Sequence, residues 1–201
     1  RNININGSAP SNLSDVDYLE FATKGNSADF GDLTTYRRGA TSTSNSTRGL
    51  VGSGYNGSTR IDNVDYFTIA SIGNGTDFGD LINLVTDQGT FSSTTRAVFG
   101  NRFTNVPSPA YDATFDYITL ASTGNATDFG DISGANGGGS SGVSNSIRGV
   151  FAGGSQHPSY YNVIQYITIA TTGNSSNFGE FNSVGRSEQA GFSDSHGGLS
   201  E

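Results

Sequence analysis

The chain has 201 residues, among them 29 Gly and no Cys, Trp or Met; 33% are hydrophobic, and 10 Lys and Arg face 18 Asp and Glu for a net charge of −8. Lack of cysteine excludes disulfide scaffolds, thiolate metal sites and cysteine nucleophiles, and the acidic balance leaves no basic stripe to neutralise the phosphates of a nucleic acid. No apolar run approaches the roughly 18–20 residues of a membrane-spanning helix, so membrane insertion is not expected, and a start other than Met suits a processed or excised segment.

In chain order, the opening RNININ reads as a short strand, followed by a Tyr strand at Tyr18, a Gly-Asn turn and a short strand beginning near Phe30. A further strand, Arg38 to Ser42, precedes a turn at Asn45-Ser46, and Arg48 opens the next unit. The same series then recurs through Tyr66, Phe78 and Arg96, through Tyr117, Phe129 and Arg148, and through Tyr166 and Phe178. Within Tyr117 to Ala121, Tyr117, Thr119 and Ala121 alternate with Ile118 and Leu120, the period-2 pattern of a strand with two distinct faces.

The four copies are VDYLEFATKGNSADFGDL, VDYFTIASIGNGTDFGDL, FDYITLASTGNATDFGDI and IQYITIATTGNSSNFGEF, with their tyrosines 48, 51 and 49 residues apart. A period of about fifty residues lies in the range of propeller blades. The expected fold is therefore all-β, a propeller of four four-stranded blades in one repeat domain over 1–201, with blades near 1–47, 48–95, 96–147 and 148–201. An open β repeat array, or part of a larger propeller, is the alternative, since repeat number alone does not fix closure. The termini would meet by strand pairing in a closed ring, or pair with another copy in a filament.

Tyr18, Tyr66, Tyr117 and Tyr166, with Phe30, Phe78, Phe129 and Phe178, are expected as the repeated core. The glycines Gly31, Gly79, Gly130 and Gly179 suit a bulge or a close backbone approach. Arg48, Arg96 and Arg148 are expected to pair with Asp32, Asp80 and Asp131. The Asp-Phe-Gly triplets copy a kinase magnesium motif by letters only, without its Gly-rich loop or catalytic loop. Asn74, Asp77 and Asp80, and likewise Asn125, Asp128 and Asp131, place three oxygens at i, i+3 and i+6, so calcium is conceivable, although Asx-turns explain these residues equally well. No other cofactor is expected.

The loops that differ most between units are Tyr55 to Arg60, Asn101 to Asp112 and Gln156 to Asn162, all on one rim. Tyr55, Phe103, Tyr111, His157, Tyr160 and Tyr161 are the candidate ligand contacts, because aromatic rings beside Asn and Ser suit sugar stacking or protein contact. Glycosylation sequons stand at Asn6, Asn12, Asn45, Asn56, Asn74, Asn125 and Asn174, a number that composition nearly explains. No nucleophile and base, and no asymmetric pair of carboxylates, stands out, so an enzyme is not expected.

The phrases YITLASTGNATDFGDI and IRGVFAGG, repeated in variant form along nearly the whole chain, resemble kelch-like repeat proteins of tailed bacteriophages, especially those of cyanobacteria and other aquatic bacteria. The resemblance implies a β-propeller in a virion structural or tail-fibre component, in the virion or outside the cell, without catalytic residues. Phe129 stands where a general kelch repeat would carry tryptophan, and TRAVFGN and HGGLS lack the full glycine pair. The expected function is a structural or adhesive module that contacts a host surface protein or glycan, or other virion proteins, through its rim loops. A self-assembling filament subunit is the alternative, and a glycan-processing enzyme a more distant one.

Overall fold

A computed structural model describes residues 1–5, 14–100, 102–104, 110–134, 137–156, 158–188, 190, 191 and 193. The fold is all-β, with antiparallel sheets and no helix among the described residues. The first sheet holds β1 (Asn2–Ile5), β2 (Asp15–Leu19) and β3 (Ala28–Asp32). The second begins with β4 (Thr41–Ser44), β5 (Arg48–Gly52), β6 (Ile61–Thr68) and β7 (Thr76–Thr86), and the third holds β8 (Gly89–Ser92) and β9 (Arg96–Gly100). A hairpin of β10 (Arg102–Thr104) and β11 (Ala110–Asp112) then leaves the third sheet and extends the second, pairing Phe103 with Thr86 on β7. The third sheet is completed by β12 (Thr114–Thr119) and β13 (Thr127–Asp131). The fourth holds β14 (Ser141–Ser144), β15 (Arg148–Ala152), β18 (Val163–Thr168) and β19 (Ser176–Glu180), with a small hairpin of β16 (Ser155–Gln156) and β17 (Ser159–Tyr160) at one edge.

The expected unit limits at 47/48, 95/96 and 147/148 fall inside hairpins and are corrected. The strand before each arginine pairs with the strand after it, as Thr43 with Leu50 and Val143 with Val150. Side-chain hydrogen bonding closes these turns: Asn45 Oδ1 accepts from the backbone N–H of Thr47 and Arg48, and Asn145 Oδ1 from Ile147 and Arg148. The expected strand Arg38 to Ser42 shifts to Thr41–Ser44, and Arg38 makes an isolated bridge to Tyr55.

Three cores lie between the sheets. Val16 and Phe30 of the first meet Val51 and Phe67 of the second; Leu50 and Phe78 meet Phe99 and Leu120; Val98 and Phe129 meet Phe151 and Ile169. Alternation along each strand therefore sends one face to the preceding sheet and the other to the following one. Each Tyr ring stands edge-on to the Phe of its own sheet at 5.8–6.0 Å between centroids. Phe30, Phe78 and Phe129 are buried, but Phe178 is 57% exposed and is not core. No further strand follows β19 among the described residues to cover it.

The Phe-Gly-Asp strand carries a bulge in every sheet: Val64 pairs with Gly79 and Asp65 with Asp77, which leaves Phe78 as the additional residue. Gly79 has φ of 139°, and a Cβ there would stand 2.5 Å from the backbone carbonyl of Gly124 in the next sheet. Only glycine allows both that conformation and that approach.

Candidate functional site

Antiparallel order places the loops after the arginine strands and the linkers between sheets at one common edge. There a cavity of about 380 Å3 is lined by Asp87, Gln88, Phe103, Ser140 and Glu188, among others. The linkers are shaped by left-handed residues: Asp87 (φ 53°) donates its N–H to Gly39 O, and Glu188 (φ 58°) donates to Gly139 O. Such conformations cost non-glycine residues on the order of 1–3 kcal/mol. Gln88 donates from Nε2 to Ser53 Oγ at 2.8 Å, whereas its buried Oε1 and the buried Oγ of Ser140 have no hydrogen-bond partner among the described residues. Phe103 packs against Tyr111 with ring centroids 4.9 Å apart and planes tilted by 50°, and closes over Gly138, where a Cβ would meet its ring. The cavity thus combines an aromatic face, two carboxylates and unsatisfied neutral polar atoms, a lining able to hold a polar ligand with one apolar face.

The other candidate ligand contacts are dispersed. Tyr55 bridges Arg38 and Arg60 through its backbone and lies under the Arg38 guanidinium at 5.1 Å. Tyr160 is exposed, and Tyr161 donates its hydroxyl to Gln156 Oε1. Among the expected contacts, Phe103 alone lines the cavity, while His157 lies outside the described residues.

The expected pairing of Arg48, Arg96 and Arg148 with Asp32, Asp80 and Asp131 is corrected. Leu50 lies opposite Tyr66, so Arg48, two residues along the same face, reaches the Tyr66 ring diagonally at 4.9 Å. Arg96 stacks on Tyr117 at 4.6 Å and Arg148 on Tyr166 at 4.8 Å; Arg1 repeats the arrangement on Tyr18 and also pairs with Glu20. The first three arginines of the series then donate to backbone carbonyls of the following sheet: Arg1 to Ile69 and Ala70, Arg48 to Leu120, Arg96 to Ile169 and Ala170.

The candidate calcium sets serve the same junctions. Asn74 Oδ1 accepts from Asp32 N–H, Asn125 Oδ1 from Asp80 N–H and Asn174 Oδ1 from Asp131 N–H, each between sheets. Asp77 and Asp128 accept from the glycine two residues on, in Asx-turns. Burial raises the Asp80 pKa, and repulsion from Asp62 and Asp77 adds to the shift. No group of three or more His, Cys, Asp or Glu suited to a metal occurs among the described residues. Of the sequons, Asn45 and Asn56 use their side-chain oxygens to close turns, and Asn6 and Asn12 lie outside the described residues.

Sequence reasoning missed Arg37. It is wholly buried, donates to Asp65 Oδ2 at 3.0 Å and Asn63 O at 2.7 Å, and also bonds Asn63 Oδ1. Asp65 in turn accepts from Thr34 N–H and Oγ1, so the pair is fully hydrogen-bonded. The recurring Asp before Tyr was a visible signal for its acceptor, because Asp116 likewise receives the Ile82 N–H of the preceding sheet. Burial draws the Arg37 pKa down, opposed first by Asp65 and then by Asp77.

No family model and no curated protein matches the chain. Among solved structures the fold is similar to that of YjhT, with a TM-score of 0.72 at 9% identity over 87% of this chain. The match takes in 62% of the YjhT chain, so this chain spans less than two thirds of that protein.

Proposed function

We propose that the chain is a non-enzymatic, kelch-like β-propeller module of a phage tail fibre or related virion appendage, which contacts a host-surface glycan through its loop edge. The observation that carries this reading is the cavity bounded by Phe103, Asp87 and Glu188, where an aromatic ring lies beside hydrogen-bonding groups. A sugar ring offers an apolar face to the first and hydroxyls to the second. The sequence resemblance supplies the setting, and four repeated sheets supply a rigid scaffold for loops that differ from unit to unit.

An array of host cell-surface polysaccharides probed with the labelled protein tests the proposal. Binding should concentrate on a few saccharides, and Phe103→Ala and Glu188→Gln should each weaken the best of them at least about tenfold, the loss of one good contact. Absence of saccharide binding, or binding indifferent to both substitutions, contradicts it; capture of a host surface protein at the same edge would replace glycan by protein as the ligand.

A further inference from the structure

The four sheets are joined by one recurring set of contacts, and the set stops at both ends of the array. Gly73 donates to Phe30 O, Gly124 to Phe78 O and Gly173 to Phe129 O, at 2.6–2.8 Å. Gly75, Ala126 and Ser175 donate in the same way to Asp32 O, Asp80 O and Asp131 O. Together with the asparagine and arginine bonds described above, each junction locks the Phe-Gly-Asp strand of one sheet onto the Gly-Asn turn of the next.

At the fourth sheet Phe178 O and Glu180 O receive no such bond among the described residues, a Cβ on Gly179 would meet nothing within 4 Å, and Arg148 stacks on its tyrosine without reaching a carbonyl. The first sheet offers the complementary half. Phe21 is 81% exposed where its counterparts Leu120 and Ile169 are buried and Ile69 is half-buried, and Asp17 is exposed where Asp65 and Asp116 are buried.

A second observation specifies the occupant. Along the inner strands, Ser92 Oγ donates to Ser44 O and Ser144 Oγ to Ser92 O; Ser193 Oγ then donates to Ser144 O. Ser193 therefore holds the place of the inner strand of whatever sheet follows the fourth. Among the described residues the first sheet is the one that lacks an inner strand, and the edge of β1 borders an open groove lined by Ile3, Ile5, Leu50, Val51 and Phe67.

We propose that copies of this chain join head to tail, with the first sheet of one copy docked on the fourth sheet of the next in the register that joins sheets within a chain. Gly25 N–H then meets Phe178 O, Ser27 N–H meets Glu180 O, Glu180 N–H meets Asn26 Oδ1, and Arg148 reaches the carbonyls of Phe21 and Ala22. Ser193 lies beside the open edge of the docked β1. The interface is heterologous, so each addition presents a fresh end, and growth continues unless a ring closes. This association does not depend on the glycan reading.

Sedimentation velocity over a range of concentrations tests it with the wild type, Phe178→Asp and Phe21→Asp. Both substituted side chains are largely exposed, and unchanged melting of each variant at dilution verifies its fold. The wild type should grow beyond 20.9 kDa as concentration rises, and each variant alone should stay at that mass. An equimolar mixture of the two variants should give a species of twice that mass and none larger, because each retains one competent end. A wild type that remains monomeric throughout, or growth that persists in Phe178→Asp, overturns the proposal. A monomer that Phe178→Asp makes less heat-stable would instead show the chain's own first sheet in that place, and overturns it as well.

Discussion

The arginines of the repeat act as clamps between sheets, since each guanidinium lies over a tyrosine of its own sheet and the first three of the series also donate to carbonyls of the next. A planar guanidinium keeps its edge donors free while its face covers the ring, which a compact ammonium group does less well. Asp80 shows the opposite balance, because burial and the nearby Asp62 and Asp77 disfavour its ionised form in the folded state. Its folded pKa lies above the unfolded one, so ionised Asp80 costs stability at neutral pH, and the cost disappears once both states are protonated. Asp80→Asn is therefore expected to unfold at higher urea than the wild type at pH 7. The difference should shrink to nothing below the unfolded carboxylate pKa of about 3.9; equal stability at both pH values would contradict the assignment. The recurrence of Arg and Asp was legible in the sequence, but their partners were not. Register decides that Arg48 lies diagonal to Tyr66, and composition does not record register. Arg37 was invisible for a related reason: it belongs to one linker and does not repeat, so periodicity gives it no mark.

Among the elements, the Tyr strand, the Gly-Asn turn and the Phe-Gly-Asp strand were readable because alternation, turn residues and repetition agree at those places. The unit limits were misplaced because a four-strand repeat can be cut between any two strands, and the Asn-closed turn before each arginine is itself a hairpin. The β10–β11 hairpin, which lends its strands to the second sheet, also had no repeat to announce it. Glycine in the bulge does two tasks that a mutation can separate. Gly79 and Gly179 both have positive φ, at 139° and 155°, but only Gly79 faces a neighbouring sheet. Gly179→Ala should cost the conformational term alone, roughly 1–3 kcal/mol. Gly79→Ala should cost that and the overlap with Gly124 as well, for a total above about 3 kcal/mol by urea denaturation. Equal losses at the two sites would mean that close approach between sheets does not constrain the repeat.

For the molecule as a whole, the question left open by the sequence was closure, and the described residues show three junctions between four sheets, with the two complementary halves of a fourth junction left unjoined at the ends. Repetition predicts that every sheet has a neighbour but cannot say which chain provides it, since the geometry that curves the array is set by packing across the junctions. The same chain then offers two kinds of surface: a loop edge that varies from unit to unit, and end faces that repeat the internal junction. Recognition suits the first and assembly the second. Residue-resolved amide hydrogen exchange tests this account most directly. At a dilution where the chain is monomeric, the N–H groups of Gly73, Gly124 and Gly173 should be protected and that of Gly25 should exchange freely; at high concentration Gly25 should become protected with them. Protection of Gly25 equal to the others in the dilute monomer would mean that the first sheet already has its neighbour, and would contradict the open array.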